Sequence, residues 1–245
     1  MSSKVRPPAS AEMRPGPGFR ITPSFERPPR SLIDGFADFS AADVSDLMNR
    51  LYAVSSEIRP VTDPTLRLIG PALTVKVFPG DNLMVHKCLD LAEPGDVVLI
   101  DASASVSNAV LGDTISIKAR HRGIAGFIID GLVRDVDGIR ELGDFPVFAR
   151  GVSPIGPLHR GPGEINYPVS IGGIVAHPGD IVIAEHGGIV IVPQDATEQI
   201  LDALREKRPV LERYLADVRQ GVFSNAWVDD ILTTQGLESR AASLT

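Results

Sequence analysis

Residues 97–135 read VVLIDASASVSNAVLGDTISIKARHRGIAGFIIDGLVRD, and the pattern of this stretch decides the fold class. Residues 97–100 are an apolar run typical of a buried strand. Residues 113–122 predict a helix that ends at Gly123, and residues 124–130 predict a second, almost wholly apolar strand. Two strands joined by one helix form a βαβ unit, in which the strands are parallel neighbours. The sequence therefore predicts an α/β protein built on parallel strands.

Patterns on both sides extend this unit. Ser40 followed by Asp43 predicts a capping box at the start of a helix, and the alternation over residues 71–78 predicts a strand. A C-terminal helix is predicted over 194–220, with a kink or break at Pro209. After residue 144 the pattern is mostly β, with strands predicted at 146–150, 169–176, 181–185 and 189–193, the last two as a hairpin, and a loop at 151–168. We expect one α/β domain with a mixed sheet.

The domain boundaries are set by composition. Residues 1–30 hold seven of the 20 prolines, which excludes a helix or a central strand there. We interpret this stretch as an arm lying on the surface or on a neighbouring subunit, with a loose tail as an equal alternative. The main domain then covers residues 31–220, and residues 221–245 form a C-terminal extension.

Composition limits the class of protein. The chain has 245 residues, 43% of them hydrophobic, which is enough for a sizeable core. Lys and Arg number 24 against 31 Asp and Glu, so the net charge of −7 argues against nucleic acid or an anionic membrane as partner. The single cysteine, Cys88, excludes a disulfide framework. With no apolar run near ~20 residues and no secretory signal, we expect a cytoplasmic protein.

Two short polar motifs flank the predicted helix and return strand. Gly112-Asp113 begins the helix, and Arg134-Asp135 follows the strand, with twenty residues between Asp113 and Arg134. That length accommodates a helix, a turn and a strand, so both motifs should reach the same edge of the sheet. This edge is the usual ligand crevice of open α/β sheets.

The residue types at this edge suit an α-keto acid. Amides in the first helical turn, near Gly112, Thr114 and Ile115, can hold a carboxylate. Arg134 offers a planar fork of donors to a carboxylate or an enolate oxygen. Asp135 offers oxygen to a hard cation such as Mg²⁺, and an acid at the start of the helix could orient its waters.

Spacing alone leaves a simpler explanation open. Asp113 could be an ordinary first-turn acid, worth about 1 kcal/mol to the helix. Arg134 and Asp135 could form a surface ion pair of little energetic value.

Several motifs together resemble one known family, over about residues 35–215. They are Pro79-Gly80-Asp81-Asn82, Gly95-Asp96-Val97-Val98, Gly112-Asp113 with twenty residues before Arg134-Asp135-Val136, the stretch 128–135 (IIDGLVRD), Pro146-Val147-Phe148 and Pro178-Gly179-Asp180. The chain resembles the RraA-like family, which includes the class II 4-hydroxy-4-methyl-2-oxoglutarate / 4-carboxy-4-hydroxy-2-oxoadipate aldolases.

The resemblance implies a swivelling β/β/α fold, assembled as trimers or as hexamers with sites between subunits. It implies a lyase that performs retro-aldol cleavage, or decarboxylation of oxaloacetate, through a pyruvate enolate. Arg134 would bind the substrate and stabilise the enolate, and Asp135 would be the protein ligand of Mg²⁺ or Mn²⁺. Asp113 would reach a water of the ion, and a bound water or hydroxide would be the base.

The same resemblance raises alternatives. Acidic residues from a neighbouring subunit would complete the site, and Asp46 and Glu212 are the nearest matches, although a solvated helix face also explains both. Some relatives are inhibitors of ribonuclease E, so a non-catalytic regulator that binds a protein is the second hypothesis. A protein that only binds a sugar acid or a keto acid, without activity, is the third. His86 could line the pocket, but a packed or surface histidine is the commoner case.

Overall fold

A ten-stranded mixed sheet organises the structure, a computed structural model that describes residues 12–237. A separate two-stranded hairpin packs against it. The twelve strands in this part of the chain are β1 (Phe19–Ile21), β2 (Arg59–Pro60), β3 (Leu68–Val77), β4 (Val97–Asp101), β5 (Ala109–Leu111), β6 (Gly126–Val133), β7 (Val147–Val152), β8 (Gly163–Ile165), β9 (Val169–Ile171), β10 (Ile174–Ala176), β11 (Ile181–Glu185) and β12 (Gly188–Val192).

Seven α-helices accompany these strands between residues 12 and 237. They are α1 (Arg30–Gly35), α2 (Ala41–Leu47), α3 (Leu83–Cys88), α4 (Asp113–His121), α5 (Val136–Arg140), α6 (Thr197–Arg219) and α7 (Ala226–Thr234). The predicted capping box is confirmed, because Ser40 and Asp43 bond each other's backbone N–H at the start of α2. Among these helices, none is both long enough and apolar enough to cross a membrane.

The centre of the sheet confirms the predicted βαβ unit. β4 and β6 are parallel neighbours, with Leu99 opposite Ile128, and α4 connects them through the short strand β5. β3 and β7 extend the parallel core on either side. One edge of β3 is shared, since β11 pairs with its first half and β8 with its second half, both antiparallel. The sheet is therefore mixed, as expected of this α/β fold.

Alternate residues of the central strands face two different layers. Val98 and Ile100 pack with the apolar faces of α3, α4 and α5. Val97 and Leu99 point the other way and pack with β9 to β12. Behind the β11–β12 hairpin, a third cluster includes α1, α2 and the first turns of α6. This is β/β/α layering, and it explains why the central strands are apolar on both faces.

The three Pro-Gly-Asp turns share one structural device. Their carboxylates are almost fully buried, in Asp81, Asp96 and Asp180, and each accepts backbone N–H groups. The carboxylate of Asp81 accepts three such hydrogen bonds, from the backbone N–H groups of Leu83, Arg160 and Gly161, at 2.8, 2.6 and 3.0 Å. Buried carboxylates are stable only with such partners, so the aspartates of this motif hold loops together.

Two stretches differ from the prediction. Residues 169–176 were predicted as one strand, and this is wrong: Gly172 and Gly173, both at positive φ (52° and 90°), turn the chain into the β9–β10 hairpin. A Gly-Gly pair is a hairpin signal, so the sequence contained the information. The predicted loop 151–168 contains β8, which is a three-residue strand formed only by pairing with distant strands.

Part of the proline-rich segment docks on its own chain. β1 pairs with the edge strand β8, and Arg20 forms an ion pair with Glu164 at 2.6 Å. Farther along, the guanidinium of Arg27 binds the buried carboxylate of Asp96 through two nitrogens, at 2.8 and 2.7 Å. Residues 1–11 of the predicted arm and residues 238–245 of the predicted extension lie outside the described residues.

The chain divides within α6 into a unit that ends at Leu204 and a second unit that begins at Arg205. The helix is not broken at Pro209 but continues to Arg219. In the second unit, large apolar side chains such as Trp227 are exposed.

Candidate active site

The start of α4 is held against the end of β6. Gly112 is the residue before the helix, and its carbonyl accepts hydrogen bonds from the backbone N–H and the hydroxyl of Ser116, at 3.2 and 3.0 Å. Next to it, the Arg134 N–H donates to the Leu111 carbonyl at 3.0 Å. β5 pairs with β6 at this point, so the two predicted motifs meet at one edge of the sheet.

Gly112 lies directly beneath the side chains of Arg134 and Asp135. A Cβ atom at position 112 would lie 2.8 Å from Asp135 Oδ2 and 3.0 Å from Arg134 Cγ. Only glycine permits this approach. On the other side, a Cβ atom at Gly138 of α5 would lie 3.0 Å from Asp113 Oδ2. The structure therefore brings together all four residues of the two motifs.

The arginine and the aspartate are paired but accessible. Arg134 Nε lies 3.1 Å from Asp135 Oδ2, and the two side chains are 43% and 49% exposed. Within the described residues, no hydrogen bond engages the terminal nitrogens of Arg134, which lie over Gly156. Asp135 has a left-handed backbone (φ 50°, ψ 41°), a conformation that aspartate tolerates better than most residues. The pair can therefore receive a ligand without unfolding a core contact.

The predicted amide cradle is partly occupied by the chain itself. The Thr114 N–H donates to Asp113 Oδ1 at 2.5 Å. A ligand carboxylate would have to displace Asp113 from this amide. The side chain of Ile115 is buried in the core, so this residue could contribute only its backbone.

The donor set at the site suits a hard cation. Across residues 12–237 there is no group of three or more His, Cys, Asp or Glu side chains arranged to hold a metal ion. Mg²⁺ is commonly bound by one or two carboxylates, with waters and substrate oxygens completing its shell. The accessible carboxylate of Asp135, with that of Asp113 near the same helix start, fits this mode of binding to Mg²⁺ or Mn²⁺.

The two candidate acids for a neighbouring subunit's site are exposed. Asp46 lies 3.0 Å from Arg50, and Glu212 accepts a hydrogen bond from Arg208 within α6 at 2.8 Å. Their role across a subunit interface stays a prediction.

A cluster around Asn82 adjoins the site, and sequence reasoning missed most of it. Asn82 is 2% exposed, its Nδ2 donates to the Val110 carbonyl at 2.8 Å, and its Oδ1 lies 2.6 Å from His159 Nδ1. The rings of His159 and His86 meet edge to face at 5.3 Å. Burial, and then the charges of His159 and Lys118, lower the pKa of His86. The position of Asn82 in a turn motif was a signal, but nothing local linked it to His159, 77 residues away.

A comparison with protein families gives this geometry a context. The family model described as RraA-like, Aldolase/RraA, matches residues 41–191, which is more than half of the chain. The chain belongs to the RraA-like family. The matched range of this RraA-like chain contains every residue from Gly112 to Asp135, and the resemblance drawn from the sequence motifs is confirmed.

Relatives of known sequence and structure agree with this assignment. The chain is 36% identical over 176 residues to a protein of Halalkalibacterium halodurans named "Putative 4-hydroxy-4-methyl-2-oxoglutarate aldolase", covering 72% of this chain and 83% of that one. The structure of Streptomyces coelicolor RraAS2, described as an unusual member of the RNase ES inhibitor RraA protein family, is 27% identical with a TM-score of 0.70, covering 78% and 99%. An uncharacterized Pseudomonas syringae pv. tomato protein is 25% identical with a TM-score of 0.70, covering 80% and 96%. The predicted RraA-like fold is thereby confirmed.

Proposed function

We propose that this chain is a divalent-metal-dependent lyase that cleaves, by a retro-aldol reaction, or decarboxylates a pyruvyl-containing acid through a pyruvate enolate. The observation that carries this proposal is the stacking of Arg134 and Asp135 over Gly112, where a Cβ atom would lie 2.8 Å from the carboxylate. The name of the H. halodurans relative supports a lyase.

The binding of the α-keto acid end follows from the contacts at α4. The substrate carboxylate would take the amides between Gly112 and Ile115 at the positive end of the helix. To reach the amide of Thr114 it would replace the carboxylate of Asp113, which bonds that amide at 2.5 Å. The displaced Asp113 would then be free to orient water near the metal position.

The terminal nitrogens of Arg134 would stabilise the negative charge that develops on the keto oxygen. They carry no hydrogen bond to any described residue, and their planar fork can donate to an enolate oxygen. Asp135 would hold Mg²⁺ or Mn²⁺, which when bound supplies Lewis acidity to the keto oxygen. Since Arg134 Nε lies 3.1 Å from Asp135 Oδ2, the two side chains lie side by side and would reach the same part of a substrate.

We propose that the working form is a trimer or a hexamer, with Asp46 and Glu212 contributing to a neighbour's site. Both carboxylates are more than 60% exposed in the single chain and so are available for an interface. Light scattering after gel filtration would measure the mass of the assembly, and a monomer that retains full activity would contradict this part of the proposal.

The function is tested by pyruvate release from oxaloacetate and from 4-hydroxy-4-methyl-2-oxoglutarate, with Mg²⁺ and with EDTA. Arg134→Ala and Asp135→Ala should abolish metal-dependent release. Arg120→Ala is the matched control, since Arg120 also forms an exposed pair with an aspartate, Asp144, but away from the site. Release that survives EDTA, or that survives both site variants, would contradict the proposal.

A second candidate is a non-catalytic regulator that binds a protein such as ribonuclease E. The structural likeness to RraAS2 favours it. The acidic balance of the chain suits a basic partner. Inhibition of purified ribonuclease E by the Asp135→Ala variant, in the absence of any lyase activity of the wild type, would favour this candidate.

A further inference from the structure

Asn82 determines which nitrogen of His159 carries the proton. A backbone carbonyl only accepts hydrogen bonds, so the Val110 oxygen, at 2.8 Å, must face the NH₂ group of Asn82. The Asn82 oxygen then faces His159 Nδ1 at 2.6 Å and requires a donor there. Neutral His159 therefore has its proton on Nδ1 and a free lone pair on Nε2.

The structure holds this histidine in place but leaves Nε2 available. Asn82 is 2% exposed and is itself fixed by its bond to Val110, so it is a rigid support. The ring of His86 packs against His159 edge to face at 5.3 Å. His159 as a whole is exposed, and no hydrogen bond from residues 12–237 engages its Nε2. An orienting group on one nitrogen and a free lone pair on the other are the features of a general base.

Two connections link His159 to the candidate site. Along the chain, His159 comes three residues after Gly156, and Gly156 lies beneath the Arg134 guanidinium. The Cα atoms of Gly156 and His159 are therefore at most ~11 Å apart. This loop is fixed, since the Gly156 carbonyl accepts a hydrogen bond from Asn108 Nδ2 at 2.9 Å. Across the sheet edge, Asn82 binds Val110, two residues before Gly112.

We propose that His159 Nε2, in place of the bound water or hydroxide that the family resemblance implies, accepts the proton of the C4 hydroxyl when a 4-hydroxy-2-oxo acid is cleaved at this site. The proposal rests on the lyase function proposed above. The C4 O–H bond breaks, and its proton goes to Nε2 directly or through one water. The oxygen electron pair forms the C4 carbonyl, the C3–C4 bond breaks, and its electrons form the pyruvate enolate. The enolate takes a proton at C3 from solvent, and the exposed imidazolium returns its proton to solvent.

The two reactions proposed for the site differ in their need for this base. Decarboxylation of oxaloacetate gives the same enolate but releases CO₂, and there is no hydroxyl proton to remove. A residue that binds substrate or maintains the fold would affect both reactions. A base for the C4 hydroxyl affects only the retro-aldol cleavage.

The experiment compares both reactions in wild type, His159→Gln and the control His177→Gln, whose exposed ring lies in a Pro-Gly-Asp turn near Asp180. With Mg²⁺ present, kcat is measured for 4-hydroxy-4-methyl-2-oxoglutarate and for oxaloacetate. We expect His159→Gln to lower kcat for cleavage by ~100-fold or more and kcat for decarboxylation by less than about twofold. His177→Gln should leave both rates at the wild-type value.

Other outcomes overturn the proposal in distinguishable ways. An equal fall in both reactions would assign His159 to structure or binding, and unchanged cleavage would remove it from the reaction. Wild type that decarboxylates oxaloacetate but does not cleave the hydroxy acid would leave no step for this base. Pyruvate release from neither substrate by wild type would instead refute the lyase function, and the role of His159 with it.

Discussion

The guanidinium of Arg134 lies over Gly156 so closely that a Cβ atom at position 156 would be 2.5 Å from Nη1. Asn108 holds this glycine by a hydrogen bond to its carbonyl, and the Ile155 carbonyl accepts one from the Ala109 N–H. These hydrogen bonds hold the loop in a fixed position beneath the Arg134 guanidinium. The position of the terminal nitrogens depends on a residue outside both sequence motifs.

Replacing Gly156 with alanine should therefore displace Arg134 while the chain stays folded. The methyl group meets the far end of a flexible side chain, so the guanidinium moves rather than the backbone. We expect kcat/KM for pyruvate release from oxaloacetate to fall about tenfold, which corresponds to about 1.4 kcal/mol of transition-state stabilisation. The melting temperature should change little. Gly187→Ala is the control, because its added Cβ atom makes only an ordinary contact at 3.7 Å; similar kinetics in the two variants would show that Gly156 has no positioning role.

Gly112→Ala tests the metal position without using turnover. The added Cβ atom would lie 2.8 Å from Asp135 Oδ2, so the carboxylate must move away from the helix start. We expect Mn²⁺ binding to weaken by about tenfold, about 1.4 kcal/mol. Titration followed by electron paramagnetic resonance would measure it, again beside Gly187→Ala. Unchanged Mn²⁺ affinity in a folded Gly112→Ala protein would show that Asp135 does not hold the ion next to Gly112.

Asp96 should be important for stability rather than for chemistry. It is fully buried and accepts two hydrogen bonds from Arg27 and one from the Glu93 N–H. We expect Asp96→Asn to lower the free energy of unfolding by about 2–3 kcal/mol, because a charged hydrogen-bond partner is lost from a buried site. Urea denaturation measures this.

Asp144→Asn provides the comparison for Asp96. Asp144 also receives two hydrogen bonds from one arginine, Arg120, but its side chain is 67% exposed. An exposed pair is screened by solvent and contributes little, so Asp144→Asn should lower the free energy of unfolding much less than Asp96→Asn. Equal losses of stability in the two variants would contradict the role assigned to burial.

His86 should make stability depend on pH in the mildly acidic range. Its pKa in the folded protein is lowered by burial and by the charges of His159 and Lys118. As pH falls below the ordinary value of 6.5, the unfolded chain binds a proton at this position before the folded chain does, so folding stability decreases. Wild type should therefore lose more stability than His86→Gln between pH 7.5 and roughly 5 in urea titrations. The same loss in both proteins would exclude His86 as a source of this dependence.

The local sequence pattern was sufficient to predict the secondary structure at the centre of the molecule. The apolar runs that became β4 and β6 and the helix between them predict a βαβ unit, since strands buried on both faces need no alternation. The same local lengths placed Asp113 and Arg134 at one edge, because helix, turn and return strand fix where the chain comes back. The Gly172-Gly173 turn was also readable in the sequence, and the single strand predicted there was an error of interpretation.

Only the tertiary structure decided the contacts between distant loops. β8 has three residues and exists because β1 and β3 supply its hydrogen-bond partners. His159 meets Asn82 across 77 residues of sequence, and Gly156 reaches Arg134 from a separate loop. Periodicity specifies which residues share a face within one element, and chain length specifies where a short crossover returns. The approach of two loops depends instead on how the layers pack, and that is a property of the whole core.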